Sequence, residues 1–181
     1  MDTTGVVLSG SGGQGVITAA IILGEAAAIY EDLNAVQTQS YGPEARGGAT
    51  RSDVVISEKP IYYPKVISPH FLVCLTQEAY NKYSGLIRPG GLLLTDSHYT
   101  KQTNKVDAHY VALPMYETVM EKIGKPIVFN ICMLGAFIGL AGLVKATSIM
   151  KVLETKIPAG FLEMNKQALE IGLKLAKSYS H

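Results

Sequence analysis

Hydrophobic positions along this chain of 181 residues fall into short apolar runs broken by glycine and proline, then, in the last third, into longer helical stripes. VVL at residues 6–8 opens the series, and the surrounding GVVLSG has the continuity of a strand buried on both faces. Residues 16–30 are rich in Ala, Ile and Leu, which predicts a helix packed on a sheet, with Asn34 as a left-handed cap at its end. AVQTQS (35–40) reads as a second strand, and ATRSDVVIS (49–57), closed by SEKP, as a third. HFLVCL (70–75) is another short strand, and Thr76 can cap a helix over QEAYNKYSGLI. Pro89-Gly90-Gly91 then turns into the strand LLLTD. HYVAL (109–113) and PMYETVMEKIG continue the alternation, with Pro114 suited to the first turn of a helix. Residues 161–178 are amphipathic, with Phe161, Leu162, Met164, Ala168, Leu169, Ile171, Leu173 and Leu175 set among Lys and Glu.

This order predicts the α/β class: a mainly parallel Rossmann-like sheet flanked by helices, with a hairpin-like insertion over residues 35–57 and C-terminal helices. The length suits one domain over residues 1–181. The segment IVFNICMLGAFIGLAGLV (127–144) is uncharged for 18 residues, the lower limit for a membrane span. Asn130 inside it and Lys125 and Lys145 at its borders favour a buried helix of a water-soluble protein. Gly135, Gly139 and Gly142 share one face, which lets another element approach closely, either within this chain or from a partner subunit.

Charge changes the picture only by exclusion. The formal net charge is +1, so no field of one sign gathers nucleic acid or an anionic membrane, and any anion must be bound locally. Cys74 and Cys132 lie far apart in apolar runs and form no C-x-x-C pair. They cannot by themselves ligate an iron–sulfur cluster or a zinc ion, and two buried thiols fit a reducing cytoplasm. His70, His98, His109 and His181 show no ligand spacing and read as isolated structural or surface residues. The start, MDTTGVVLSG, lacks the basic and apolar regions of a signal peptide.

The chemistry concentrates in two glycine-rich stretches. GSGGQG comprises Gly10, Ser11, Gly12, Gly13, Gln14 and Gly15, between a predicted strand and a predicted helix. Amides at that helix start would face an anion, glycine would admit it closely, and the Gln14 side chain could donate or accept. The pattern matches G-x-G-x-x-G, yet an acidic residue for ribose hydroxyls should end the second strand, which instead ends in Thr38-Gln39-Ser40. Asp32 precedes that strand and Glu44 follows it. A phosphate-binding loop without a nicotinamide-dinucleotide clamp fits better, beside the alternative of a tight turn with no ligand.

The second stretch is YGPEARGG, with Tyr41, Gly42, Arg46, Gly47 and Gly48 as candidates. It follows the second strand, so it should lie near the first loop, at the carboxyl ends of the strands. Arg46 could fork onto a phosphate or carboxylate, with Arg51 reaching the same region; alternatively Arg46 pairs with Glu44 in a solvated turn. No catalytic set emerges: the sequence contains no G-x-S-x-G, no evident Cys–His pairing and no acidic pair in a metal pattern.

GSGGQGVITAAIILGEAA, QTQSYGPEARGGATRSDVVISEKPI, PHFLVCLTQEAYNKY and RPGGLLLTDS together resemble the gamma subunit or gamma domain of 2-oxoacid:ferredoxin oxidoreductases, closest to the 2-oxoglutarate type. The recognisable motifs run over residues 5–97, and the resemblance continues into the helical tail. The resemblance implies a cytoplasmic heterotetramer with alpha, beta and delta-type subunits, which decarboxylates a 2-oxoacid such as 2-oxoglutarate or pyruvate, forms an acyl-CoA and reduces ferredoxin or a similar acceptor. Thiamine diphosphate, magnesium and 4Fe-4S clusters are then expected on the partner subunits, and coenzyme A on this one. It also implies that residues 10–15 hold phosphate, and that Tyr41, Gly42, Arg46, Gly47 and Gly48 form a second wall or a subunit contact. A free-standing NAD(P)-dependent oxidoreductase and a purely architectural subunit are the alternatives.

Overall fold

The structure, a computed structural model, describes residues 2–40 and 48–180. Six strands form one sheet: β1 (Thr4–Gly10), β2 (Asn34–Gln39), β3 (Thr50–Ser57), β4 (Phe71–Cys74), β5 (Gly91–Asp96) and β6 (Ala108–Leu113). Their spatial order is β2-β3-β1-β4-β5-β6. β4, β5 and β6 follow β1 in parallel, whereas β3 runs antiparallel to both β1 and β2. The expected α/β class and the expected hairpin therefore both appear. The hairpin's second strand inserts between β1 and β2 and moves β2 to the edge.

Helix α1 (Val16–Glu25) follows β1 and continues as a π-helical turn over Ala26–Tyr30. Helix α2 (Gln77–Tyr83) follows β4, and α3 (Met115–Lys122) follows β6. Helices α4 (Phe129–Ala141), α5 (Ala146–Lys156) and α6 (Ala159–Tyr179) complete the chain. Thr76 caps α2 as expected, its Oγ1 accepting from the Ala79 amide at 3.1 Å. Two local expectations are corrected. Asn34 opens β2, and the left-handed residue after α1 is Asp32, with φ of 54°. Pro114 stands one position before α3 rather than inside its first turn.

Two cores flank the sheet. Val6, Leu8, Val54, Ile56, Val73 and Leu94 point to the face covered by α1 and α3–α6. Val7, Val55, Leu72, Cys74 and Leu93 point to the other, where Tyr80 and Tyr83 of α2 meet them. This alternation is the period of two of a strand buried on both sides.

Helix α4 is buried at every position from Phe129 to Ile138, as a helix apolar all round must be. It is thirteen residues long, and among the described residues no helix is long and apolar enough to cross a membrane. Its glycine face is used within the chain. A Cβ on Gly135 would strike the Leu169 carbonyl of α6, one on Gly139 would lie 2.7 Å from Ala176 Cβ, and one on Gly172 would strike the Cys132 carbonyl. Gly142 does not join them: it ends α4 in the left-handed conformation, at φ of 66°.

Candidate functional site

Five strands run one way, so β1, β2, β4, β5 and β6 end at the same side of the sheet. The first glycine loop leaves that side from Gly10, flanked by Thr50 of β3 and by β4, whose following residue Leu75 donates its amide to the Ser9 carbonyl at 3.0 Å. Gly13 and Gly15 have φ of 89° and 74°, a region that L side chains rarely adopt. Gly15 turns the chain into α1, and a Cβ there would lie 2.5 Å from Asn130 Nδ2. Asn130 instead uses that space to donate Nδ2 to the Gly15 carbonyl at 3.2 Å, while its Oδ1 accepts from the Ile131 amide at 3.0 Å.

Gln14 works inward. Its Oε1 accepts from the Ser11 amide at 2.8 Å and fills the place a Gly10 side chain would need. Ser11 therefore offers no free amide to a ligand. Gly12 and Gly13 do: both are exposed, a Cβ on either would meet no atom within 4 Å, and their amides have no partner among the described residues. They lie at the amino end of α1, where the helix dipole favours negative charge.

The second stretch is described only at its end. Gly48, exposed with φ of 76°, stands two residues before Thr50, the register partner of Gly10, so it lies at the same side of the sheet as the first loop. Tyr41, Gly42, Arg46 and Gly47, with the Glu44 alternative, lie outside the described residues. Arg51 does not reach the first loop. Strand alternation sends it to the α2 face, where Nε and Nη2 meet the Asp53 carboxylate at 2.6 and 3.0 Å and the guanidinium lies 5.6 Å from the Tyr83 ring centre. A cavity of about 820 Å³ opens on that face beside Thr38, Ser40, Arg51 and Lys65.

Sequence reasoning missed a cavity of about 330 Å³ on the α1 face. Gly13 and Gly15 form one wall; Val128, Asn130 and Ile131 at the start of α4, and Ile157, Phe161, Met164 and Asn165 around the start of α6, form the others. Asn130 had a signal, as the polar residue in an uncharged run. Asn165 had none, being one more polar position in an amphipathic helix.

At the end of β5, Asp96 is fully buried and accepts from the amides of His98 at 2.9 Å and Tyr116 at 2.8 Å. Burial pushes its carboxyl above the ordinary range, against the pull of these amides. His98 stacks on Tyr116 at 4.9 Å and meets Tyr99 edge-on at 4.7 Å, so it belongs to a surface aromatic cluster. Both cysteines are buried, and burial pushes their thiols up to about 12. Among the described residues no group of His, Cys, Asp or Glu could hold a metal ion.

Known proteins share this sequence pattern and fold. Residues 5–175 match the family described as pyruvate ferredoxin/flavodoxin oxidoreductase. The 2-oxoglutarate synthase subunit KorC of Methanocaldococcus jannaschii is 49% identical over 172 residues, 94% of this chain and 92% of that one. The gamma subunit of a keto/oxoacid ferredoxin oxidoreductase from Geobacter sulfurreducens superposes with a TM-score of 0.91 and 38% identity over 98% of both chains. The fold also recurs in the 2-oxoglutarate:ferredoxin oxidoreductase from Magnetococcus marinus, solved with 2-oxoglutarate, coenzyme A and succinyl-CoA, at a TM-score of 0.86 and 21% identity over 98% of this chain and 32% of that one. With the match running almost from end to end, the chain belongs to the pyruvate ferredoxin/flavodoxin oxidoreductase family.

Proposed function

We propose that this chain is the gamma subunit of a 2-oxoacid:ferredoxin oxidoreductase, acting in the 2-oxoglutarate reaction, and that its glycine loop holds the phosphates of coenzyme A. The observation that carries the reading is the pair of partnerless amides at Gly12 and Gly13, in open space at a helix amino end. They can bind charged oxygens but cannot take part in bond making. Both thiols are buried and held protonated, so neither is a nucleophile. In this reading alpha, beta and delta-type partners hold the thiamine diphosphate, magnesium and 4Fe-4S clusters of the reaction. The name of the G. sulfurreducens relative supports the gamma role, that of the M. jannaschii relative supports the 2-oxoglutarate reaction, and the ligands of the M. marinus enzyme support coenzyme A.

Topology disfavours a free-standing nicotinamide enzyme. Such a site needs the second strand beside the first, so that its last residue reaches the ribose. Here β3 intervenes and β2 lies two strand spacings from β1, roughly 10 Å.

Gly12→Ala tests the reading. Gly12 is exposed and its φ lies outside the left-handed region, so a methyl group there should leave the melting temperature unchanged. In the assembled complex the KM for coenzyme A should rise about tenfold with kcat held, a loss of ~1.4 kcal/mol of uniform binding. An unchanged KM with weakened subunit assembly would instead establish the architectural role.

A further inference from the structure

We propose that the cavity between the glycine loop, α4 and α6 receives the purine ring of an adenine nucleotide, with Asn165 Oδ1 accepting from the exocyclic amino group. The inference rests on the coenzyme A reading above and states which end of that molecule this chain grips. At about 330 Å³ the cavity falls in the range of small-molecule sites. Its walls are mostly apolar, and Phe161, although 57% exposed, still lines it, as a ring available for stacking would. Met164 adds a polarizable side chain of the kind that packs well on aromatic rings.

Two buried carboxamides line these walls, and they differ. Asn130 is bonded at both ends, to Gly15 and to Ile131. Asn165 is only 7% exposed and donates Nδ2 to the Phe161 carbonyl at 2.8 Å, which fixes its orientation and leaves Oδ1 without a partner. An apolar slot with a buried acceptor fixed in orientation selects a flat apolar ring that carries an N–H donor on its edge. Adenine meets that description, and a carboxamide oxygen is a natural partner for its amino group.

Polarity of binding points the same way. Gly13 lines the cavity and also offers a free amide, so base and phosphates would be contiguous. The thiol of coenzyme A must reach a carbon activated on a partner subunit. An arm buried here could not do so, and the end held in this chain must therefore be the nucleotide.

The test compares coenzyme A with its hypoxanthine analogue, in which the 6-amino group is an oxo group, as acceptors for the assembled complex. The wild-type complex should show a KM about tenfold higher for the analogue, because two acceptors then face each other. Asn165→Leu should raise the KM for coenzyme A about tenfold and abolish the discrimination, a split that a general folding defect does not produce. Gly12→Ala should raise both KM values alike and keep their ratio. If Gly12→Ala weakens coenzyme A but the wild type treats both acceptors equally, the purine site is overturned and the phosphate reading stands. If neither Gly12→Ala nor the analogue changes KM, the coenzyme A reading itself fails. If Asn165→Leu loosens assembly while discrimination persists, a partner's side chain fills the cavity and the proposal falls.

Discussion

His70 ties the entry of the sheet together. Its Nδ1 accepts from the Gly5 amide at 3.0 Å, and the Arg88 guanidinium lies against Nε2. Burial and then Arg88 hold its pKa below the ordinary histidine value. The unfolded chain therefore takes up a proton near pH ~6.5 while the folded chain does not. The stability tied to neutral His70 is present above that pH and is lost as pH falls below it. Urea midpoints measured from pH 7.5 to 5 should decline, and His70→Asn, whose Oδ1 can still accept from Gly5, should flatten the decline; an unaltered slope would remove His70 as its source. The buried thiols give a second check: neither Cys74 nor Cys132 should react with a thiol reagent at pH 8 until the chain is unfolded. At this scale the sequence was partly legible. GSGGQG announced itself by composition, yet Gln14 proved to brace the loop, because only folding brings its carbonyl to the Ser11 amide. Arg51 misled, since its partner Asp53 lies on the same strand face and captures it first.

Helices α4 and α6 show why an element's surroundings decide what its glycines do. Gly172 faces the α4 backbone, where an added Cβ would lie 2.6 Å from the Ala136 amide and closer still to the Cys132 carbonyl. Neither neighbour can rotate away as a side chain would. Gly172→Ala should cost about 3 kcal/mol, the upper end for overpacking a well-filled core. Gly160, in the first turn of the same helix, is exposed and an added Cβ would meet nothing within 4 Å. Gly160→Ala should therefore stabilise by about 0.5 kcal/mol through lost chain entropy alone. Denaturant titrations of the two variants would overturn this account if the changes shared a sign. The contrast was invisible in the sequence, where both are glycines in one amphipathic helix. The α4 run was legible as buried from its apolarity, but the choice between an internal and an external partner depended on α6, whose Leu169 and Ala176 meet Gly135 and Gly139 from much later in the chain.

For the whole molecule, local signals located the strands to within a residue or two, whereas their spatial order was not local. Hairpin chemistry predicted that β2 and β3 pair; it did not predict that β3 would pair again with β1 and leave β2 outside. That order grades stability across the sheet. β1 has a strand on either side and is buried along its whole length, and β4 and β5 likewise have neighbours on both sides. β2 has one neighbour, and none of its residues is fully buried. Breaking β1, β4 or β5 requires both cores to open, whereas β2 can detach by losing one ladder and part of its packing on α1. Native-state hydrogen exchange should accordingly report one common free energy for amides of β1, β4 and β5, equal to that of global unfolding. Gly172→Ala should lower that value by the same amount as it lowers global stability. Amides of β2 should exchange through a cheaper local opening and respond little to the substitution. Equal protection of β2 and β4, shifting together in the variant, would mean that the hairpin and the parallel strands unfold as one unit and that edge position does not govern opening in this sheet.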